Sequence, residues 1–426
     1  MSHAKITIFA SVVMHIRKST YEDLPRLMEI YREAQRKMIV SGNLHQWAEG
    51  HPTEAMIRSD IDLGVNHAVV EDGRVVGAFS LFFGKDPTYS VIEGGAWVDD
   101  VRPYATIHRI GSCNEARGVA EYVFSWCLGR IRNLRIDTHE DNVIMRHCVE
   151  KAGFRYCGVI HLANGDPRLA YQKVLPPLVM GIINATPDSF WERSRYNTAI
   201  LESGADIIDI GAVSTRPGAA DVDEEEEWAR LEPVLRLAKG FPHISIDTTR
   251  SSIVRRACEL IGPVIVNDIS AGEDDPDMLR TAAEFGLPFI AMHKRGGPRT
   301  MDSLTDYADD GSGLPPVVAG VRQYFRDFAI RAEEAGIRHW IADPGFGFAK
   351  TTEQNLELLD HLDILKDEGW PVLAGVADKR FTHGRTEECH ATAITHGADI
   401  LRVHDVEAAR RTIESLEKTY LEESSR

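Results

Sequence analysis

Each of the eight short apolar runs in the second half of this chain is followed at or just past its end by side chains that can bind or polarise a ligand. In order they are Asn184, Ser214-Thr215-Arg216, Asp247, Asn267-Asp268, His293, Asp343, Lys379, and Arg402 with His404. Any one of them could simply cap the helix that follows. Capping does not explain why all eight runs end this way. In parallel α/β barrels, functional groups sit where a strand ends and the loop to the next helix begins.

The elements that must position these residues have a recognisable rhythm. The runs at 178–184, 206–211, 243–247, 264–269, 288–293, 339–343, 372–376 and 400–404 are almost unbroken apolar stretches separated by helical patterns. Continuous hydrophobic strands alternating with helices predict a parallel sheet covered on its outer face. Eight of them in about 245 residues predict a (β/α)8 barrel. Before it, residues 14–175 mix strands and helices. Strands are expected at 15–19, 68–71 and 74–83 around Asp72-Gly73, then at 105–111, 134–139, 156–162 and 169–174. Helices are expected at 21–37, 118–131 and 142–152, the first with Leu24, Leu27, Ile30 and Tyr31 on one face. Leu175-Pro176-Pro177 links the halves, so the expected domains are 14–175 and 176–426.

Lys and Arg number 48 against 65 Asp and Glu, a net charge of −17, which argues against a broad nucleic-acid footprint. The six cysteines form no C-x-x-C pair and suggest neither a zinc site nor a disulfide framework; reduced thiols in a cytoplasm are the simplest reading. No stretch resembles a membrane span, and the apolar residues 6–13 are read as an upstream extension. Glu224–Glu227 reads as a solvated helix face, and Asp274-Asp275 with Asp277 as a polar turn.

Six motifs in register give the second half a specific resemblance. They are MGIINATPDSF (180–190), GADIIDIGAVSTRPGA (204–219), ISIDTTR (244–250), VNDISAG (266–272), DPGFGFAKTTEQNLELL (343–359) and ADILRVHDV (398–406). Together they resemble the dihydropteroate synthase family, a folate-pathway group of pterin-binding TIM barrels. The resemblance implies condensation of 6-hydroxymethyl-7,8-dihydropterin diphosphate with p-aminobenzoate, giving 7,8-dihydropteroate and diphosphate. Asp343, Asp247 and Asn267 match the residues that pair the pterin edge, and an unpaired ring group there would cost about 1–3 kcal/mol. Lys379 matches the lysine reaching the pterin carbonyl and the incoming amine. Arg402 and His404 match the diphosphate-binding pair, and Asn184 a residue beside Mg2+ and the diphosphate. Thr215, Arg216, Pro217 and Phe348 match the aminobenzoate side, and Glu192 keeps a carboxylate where the family has an aspartate that can stabilise the pterin cation. The catalytic set so implied is Lys379, Arg216, Thr215 and Glu192. A homodimer through barrel helices is a further implication.

Some positions depart from the family. Trp191-Glu192-Arg193-Ser194 replaces S-D-G-G, Ala212-Val213 replaces G-E, Asp378 stands where an arginine is expected, and Lys294 replaces an apolar residue. The segments between Phe190 and Gly204 and between Phe381 and Gly397 are shorter than in the family, where outer helices should lie. Two other readings are therefore carried: methyl transfer from methyltetrahydrofolate, and a pterin-binding barrel without turnover.

The first half resembles the GNAT acetyltransferase superfamily through NEARGVAEYVFSWC (114–127) and DTHEDNVIMRHCVEKAGFRYCG (137–158). The resemblance implies an α+β GNAT-like domain with acetyl-CoA held by Arg117, Gly118, Ala120 and Asn142. His108 and His139 are the candidate bases.

Overall fold

The structure, a computed structural model, describes residues 14–47, 49–113, 116–185, 200–213, 222–296, 300 and 303–423. It divides into two units, one up to Leu175 together with the residues from Lys418, the other Pro176–Glu417. No described helix is long and apolar enough to cross a membrane. The six cysteines are free.

The first unit opens with β1 (Met14–Lys18), α1 (Leu24–Val40), α2 (Glu54–Asp62), β2 (Asn66–Glu71), β3 (Arg74–Phe83) and β4 (Ala105–Ser112). It continues with α3 (Val119–Leu128), β5 (Asn133–Thr138), α4 (Val143–Lys151), β6 (Arg155–His161) and β7 (Pro167–Val174). The seven strands form one sheet in the order β1-β2-β3-β4-β5-β7-β6. Only β4 and β5 run parallel, and they pair over just Ala105–Ile107 against Leu134–Ile136. Beyond that point β4 carries an irregularity opposite Ala78–Ser80, with Arg109 at φ 52°. The four residues expected on the inner face of α1 are buried. Helix α2 was not predicted, because Glu54-Ala-Met-Ile-Arg-Ser-Asp-Ile-Asp has only two or three apolar positions facing the core.

The second unit contains all eight expected parallel strands. They are β8 (Leu178–Asn184), β9 (Ile207–Gly211), β10 (Ile244–Asp247), β11 (Ile265–Asp268), β12 (Phe289–Met292), β13 (Trp340–Asp343), β14 (Leu373–Ala374) and β15 (Ile400–Val403). Their order is β13-β12-β11-β10-β9-β8-β15-β14, and a parallel bridge from Ala342 to Val372 curls the sheet into a barrel. Helices α5 (Glu224–Ala238), α6 (Ser251–Ile261), α7 (Met278–Glu284), α8 (Pro316–Ala335), α9 (Thr352–Leu359), α10 (Asp363–Asp367), α11 (Thr386–Thr395) and α12 (Val406–Glu423) follow the strands. Helix α11 lies in one of the two segments read as shortened, between Phe381 and Gly397, and the stretch fits ten helical residues.

The barrel interior is built in layers. Met180, Ile207, Ile265, Ile290, Leu373 and Ile400 form one buried apolar cluster, with Ile341 packed against it. Successive residues of a strand alternate faces, so the residue two further on points the same way. Stepping on by two from Ile207, Ile265, Ile341 and Ile400 reaches Asp209, Asn267, Asp343 and Arg402; from Ser245 it reaches Asp247. The apolar floor thus carries a polar layer directly toward the C-terminal ends of the strands.

One expectation fails on α5. Three of its first-turn glutamates are exposed, where they suit the positive end of a helix capped by Asp223, but Glu227 is buried. Its carboxylate accepts hydrogen bonds from Thr248 Oγ1 (2.6 Å) and from Arg250. One helical turn past the N-cap, that position has already rotated onto the sheet.

Candidate active site

The polar layer is one hydrogen-bonded network. Arg402 donates through Nε to Asp209 Oδ2 (2.7 Å) and through Nη2 to Asp247 Oδ2 (2.8 Å). Asn267 Nδ2 donates to the same Asp209 oxygen at 3.1 Å. The other oxygen of Asp209 is buried and has no partner among the described residues. Two carboxylates therefore share one guanidinium, leaving an excess of acceptors. Burial pushes the Asp247 carboxyl up to about 7; Arg402 opposes this, and the neighbouring charge of Asp209 adds to it. Burial works against the Arg402 charge as well, but Asp209 and Asp247 outweigh it and hold the guanidinium protonated.

Asp343 lies at the end of β13, its Oδ1 accepting from Gly345 N at 2.8 Å. Burial raises this carboxyl too, against the Gly345 hydrogen bond and the pull of Arg402, Lys379 and Lys350. The following loop is tightly held. A side chain at Gly345 would run into the His293 carbonyl, with Cβ only 2.0 Å from its oxygen. Gly347 N donates to Asn355 Oδ1 (2.7 Å), and a Thr351/Gln354 capping box starts α9 immediately afterwards. Phe348 is thereby presented beneath Lys379, whose Nζ stands 4.8 Å from the ring centroid. Lys350 is buried and its ammonium has three acceptors: His293 Nδ1 (3.0 Å), Gly345 O (3.0 Å) and Phe348 O (3.1 Å). Burial lowers Lys350 to about 7 despite Asp343, and it holds His293 neutral, well below its ordinary value.

Of the residues singled out in the sequence, Asp247, Asn267 and Arg402 meet directly. Asp343 and Lys379 lie within electrostatic reach of the same centre. Arg402, expected as a diphosphate ligand, is engaged by the carboxylates of the floor. Asn184 is exposed at the end of β8, beside Gly211 of β9, and His404 is exposed just past β15, which pairs with β8. Glu192, Thr215, Arg216 and Pro217 lie outside the described residues. Lys294 turns to Asp274 at 2.7 Å. Asp209 belongs to this network, and the paired His293 and Lys350 lie beside Asp343; a search of strand ends reaches His293 and neither of the other two. The signal for Asp209 was a lone carboxylate in the middle of the apolar run IIDIG.

In the first unit, Arg117 and Gly118 are exposed, and Gly118 takes φ 72° to open α3. Asn142 is the N-cap of α4, accepting from Met145 N at 3.1 Å. A cavity of about 230 Å³ is lined by Gln46, Trp47, His108, Asp137, Asn142 and Arg168, among others. His108 Nε2 pairs with Asp86 (2.9 Å), and Arg109 with Asp60 (2.8 and 2.9 Å).

A (β/α)8 barrel with a buried carboxylate–guanidinium–carboxylate layer at the C-terminal ends of its strands has its polar groups where barrel enzymes carry their active sites. Comparison with known proteins makes this specific. The profile of the family described as Pterin binding enzyme matches residues 180–404. Dihydropteroate synthase of Synechocystis is 43% identical over 257 residues, 54% of this chain and 86% of that protein. The Escherichia coli K12 enzyme of the same name is 38% identical over 264 residues, 56% and 89% respectively. Among solved structures, dihydropteroate synthase of Xanthomonas albilineans with 4-aminobenzoic acid aligns with a TM-score of 0.51 at 36% identity, covering 57% of this chain and 93% of that one. The Thermus thermophilus enzyme in complex with 4-aminobenzoate aligns with 0.50 at 36%, covering 57% and 94%. The chain belongs to the pterin binding enzyme family, and its barrel is of the dihydropteroate synthase kind.

Proposed function

We propose that the barrel joins 6-hydroxymethyl-7,8-dihydropterin diphosphate to p-aminobenzoate, forming 7,8-dihydropteroate and diphosphate. The observation that carries this reading is the surplus of buried acceptors around Arg402. A pterin's amidine edge supplies the N–H donors that Asp209 and Asp343 can accept, and Asn267 adds a further polar partner. Once seated, the ligand loses its methylene carbon–oxygen bond. The electron pair leaves with the diphosphate, the aminobenzoate nitrogen forms the new bond to that carbon, and the nitrogen releases one proton. Lys379 holds the pterin carbonyl and, over Phe348, lines the approach of the amine. His404 takes the leaving diphosphate, with Arg216, Thr215, Pro217 and Glu192 completing the aminobenzoate side and shielding the cation. Asn184 offers an amide oxygen, the donor type that Mg2+ prefers, and the bound ion would neutralise charge on the diphosphate.

The test is a product assay on the full chain with pterin diphosphate, p-aminobenzoate and Mg2+. Dihydropteroate and diphosphate in equal amounts are expected. Binding of the pterin diphosphate without product favours the barrel lacking turnover, and preferential binding of methyltetrahydrofolate favours methyl transfer.

For the first unit we propose acyl transfer from an acetyl-CoA donor. Support comes from the short parallel pairing of β4 with β5, the adjoining cavity, and the left-handed Gly118 that frees the start of α3 for a phosphate. Consumption of acetyl-CoA by the full chain in the presence of amine acceptors tests it.

A further inference from the structure

Away from the barrel, two histidines and an aspartate from distant parts of the first unit converge. His45 lies in the segment between α1 and α2, while His139 and Asp141 lie between β5 and α4. His45 Nδ1 is 2.8 Å from Asp141 Oδ2, and His139 Nδ1 is 3.4 Å from the same oxygen. The imidazole centroids are 5.4 Å apart, and all three ligand-type atoms lie within 4.8 Å of one another.

The geometry points to a site for a divalent transition-metal ion of the zinc class, held by His45, His139 and Asp141 with one position open to water or an external ligand. Two imidazoles and a carboxylate are the donors such ions favour over Mg2+ or Ca2+. Bonds of about 2.0–2.1 Å in a tetrahedron require ligand atoms roughly 3.3–3.4 Å apart, a separation that the two distances to Asp141 Oδ2, 2.8 and 3.4 Å, bracket.

The site is also held together without the ion. Gln46, next to His45, accepts through Oε1 from His139 N (2.6 Å), Thr138 Oγ1 (2.9 Å) and Asn142 Nδ2 (3.3 Å). Its own N–H is taken by Asn43 Oδ1 at 3.2 Å, and Arg168 donates to its carbonyl at 3.3 Å. This strap brings the His45 segment to the end of β5, so an ion does not bear the entropy of gathering its ligands. Binding at His139 Nδ1 would displace the Asp141 N–H that now donates there at 3.1 Å, so one hydrogen bond is exchanged for the bond to the ion. Gln46 and Asn142 also line the cavity, so the metal would stand at its rim.

The decisive experiment is titration of untagged, chelator-treated full-length protein with Co2+ as a spectroscopic probe. The expected result is a visible d–d absorption that saturates at one ion per chain and is displaced by Zn2+. His45→Ala removes an exposed side chain and is expected to weaken binding at least tenfold with the circular dichroism unchanged. His45→Ala combined with Asp141→Asn is expected to abolish the absorption. Absence of the band in the unaltered protein overturns the proposal, as does undiminished affinity in His45→Ala or in the double variant.

Discussion

The barrel floor and the first-unit cavity handle buried charge in opposite ways. Of the cavity's lining residues, Arg109 and His108 each hold one carboxylate just behind them: the Arg109 guanidinium pairs with Asp60, and the His108 imidazole with Asp86. In the barrel two carboxylates share Arg402, one carboxylate oxygen is left over, and burial drives Asp247 up to about 7. A one-to-one pairing is internally satisfied. An acceptor surplus in a buried layer is costly until a ligand brings donors, which is how a site stores specificity for a donor-rich heterocycle.

The largest expected effect is that of Arg402→Ala. It leaves Asp209 and Asp247 facing each other in a buried layer and should cost about 3–5 kcal/mol in denaturant unfolding, with product formation lost. Arg402→Lys, which cannot reach both carboxylates in the same fork, should recover part of the stability and little of the turnover. Retention of full stability by the alanine variant would break the comparison at its root.

Arg109→Ala is the counterpart in the first unit. Asp60 keeps one hydrogen bond from Ser80 (2.6 Å), so the cost should be somewhat smaller, about 2–4 kcal/mol, and dihydropteroate formation by the folded protein should persist. Equal damage to turnover would show that the two regions are not separable.

A smaller effect concerns pH. Asp247 is raised in the folded state, from an ordinary 3.8 to about 7, so the folded protein binds more protons than the unfolded chain between those values. Its contribution to stability is full below about 4 and is lost as pH rises toward 7. Unfolding of the ligand-free protein followed from pH 4 to 7 should therefore show a falling component that Asp247→Asn removes. Should the component survive that substitution, the assigned origin is wrong.

The smallest change expected is at Phe348. Replacing it with leucine removes the ring under Lys379 at a cost of about 0.5–1 kcal/mol, seen as a twofold to fivefold rise in the KM for p-aminobenzoate with kcat little altered. A fall in kcat with KM unchanged would place Phe348 in the chemical step instead.

Much of the barrel was legible because its strands are buried on both faces and read as unbroken apolar runs, and because polar residues interrupt them at the loop side. Asp247, Asn267, Asp343, Lys379 and Arg402 were found by that rule. Asp209 escaped it because it sits two residues before the end of β9, where a search of strand termini does not look. Lys350 escaped because nothing in GFGFAK announces that its ammonium folds back onto Gly345, Phe348 and His293. Glu227 was misread for a related reason: a run of four glutamates looks uniform in sequence, but a helix turns about 100° per residue and one of the four must face the sheet.

The sequence alone determined the eight strands, their order, the polar character of their ends and the resemblance carried by six motifs, since these depend on local periodicity and residue type. Only the tertiary structure decided which side chains share a proton or a charge. Arg402 meets Asp209 and Asp247 across 193 and 155 residues of chain, and His45 meets Asp141 across 96. Such encounters are set by barrel closure and by the Gln46 strap, whose geometry depends on every element between the partners.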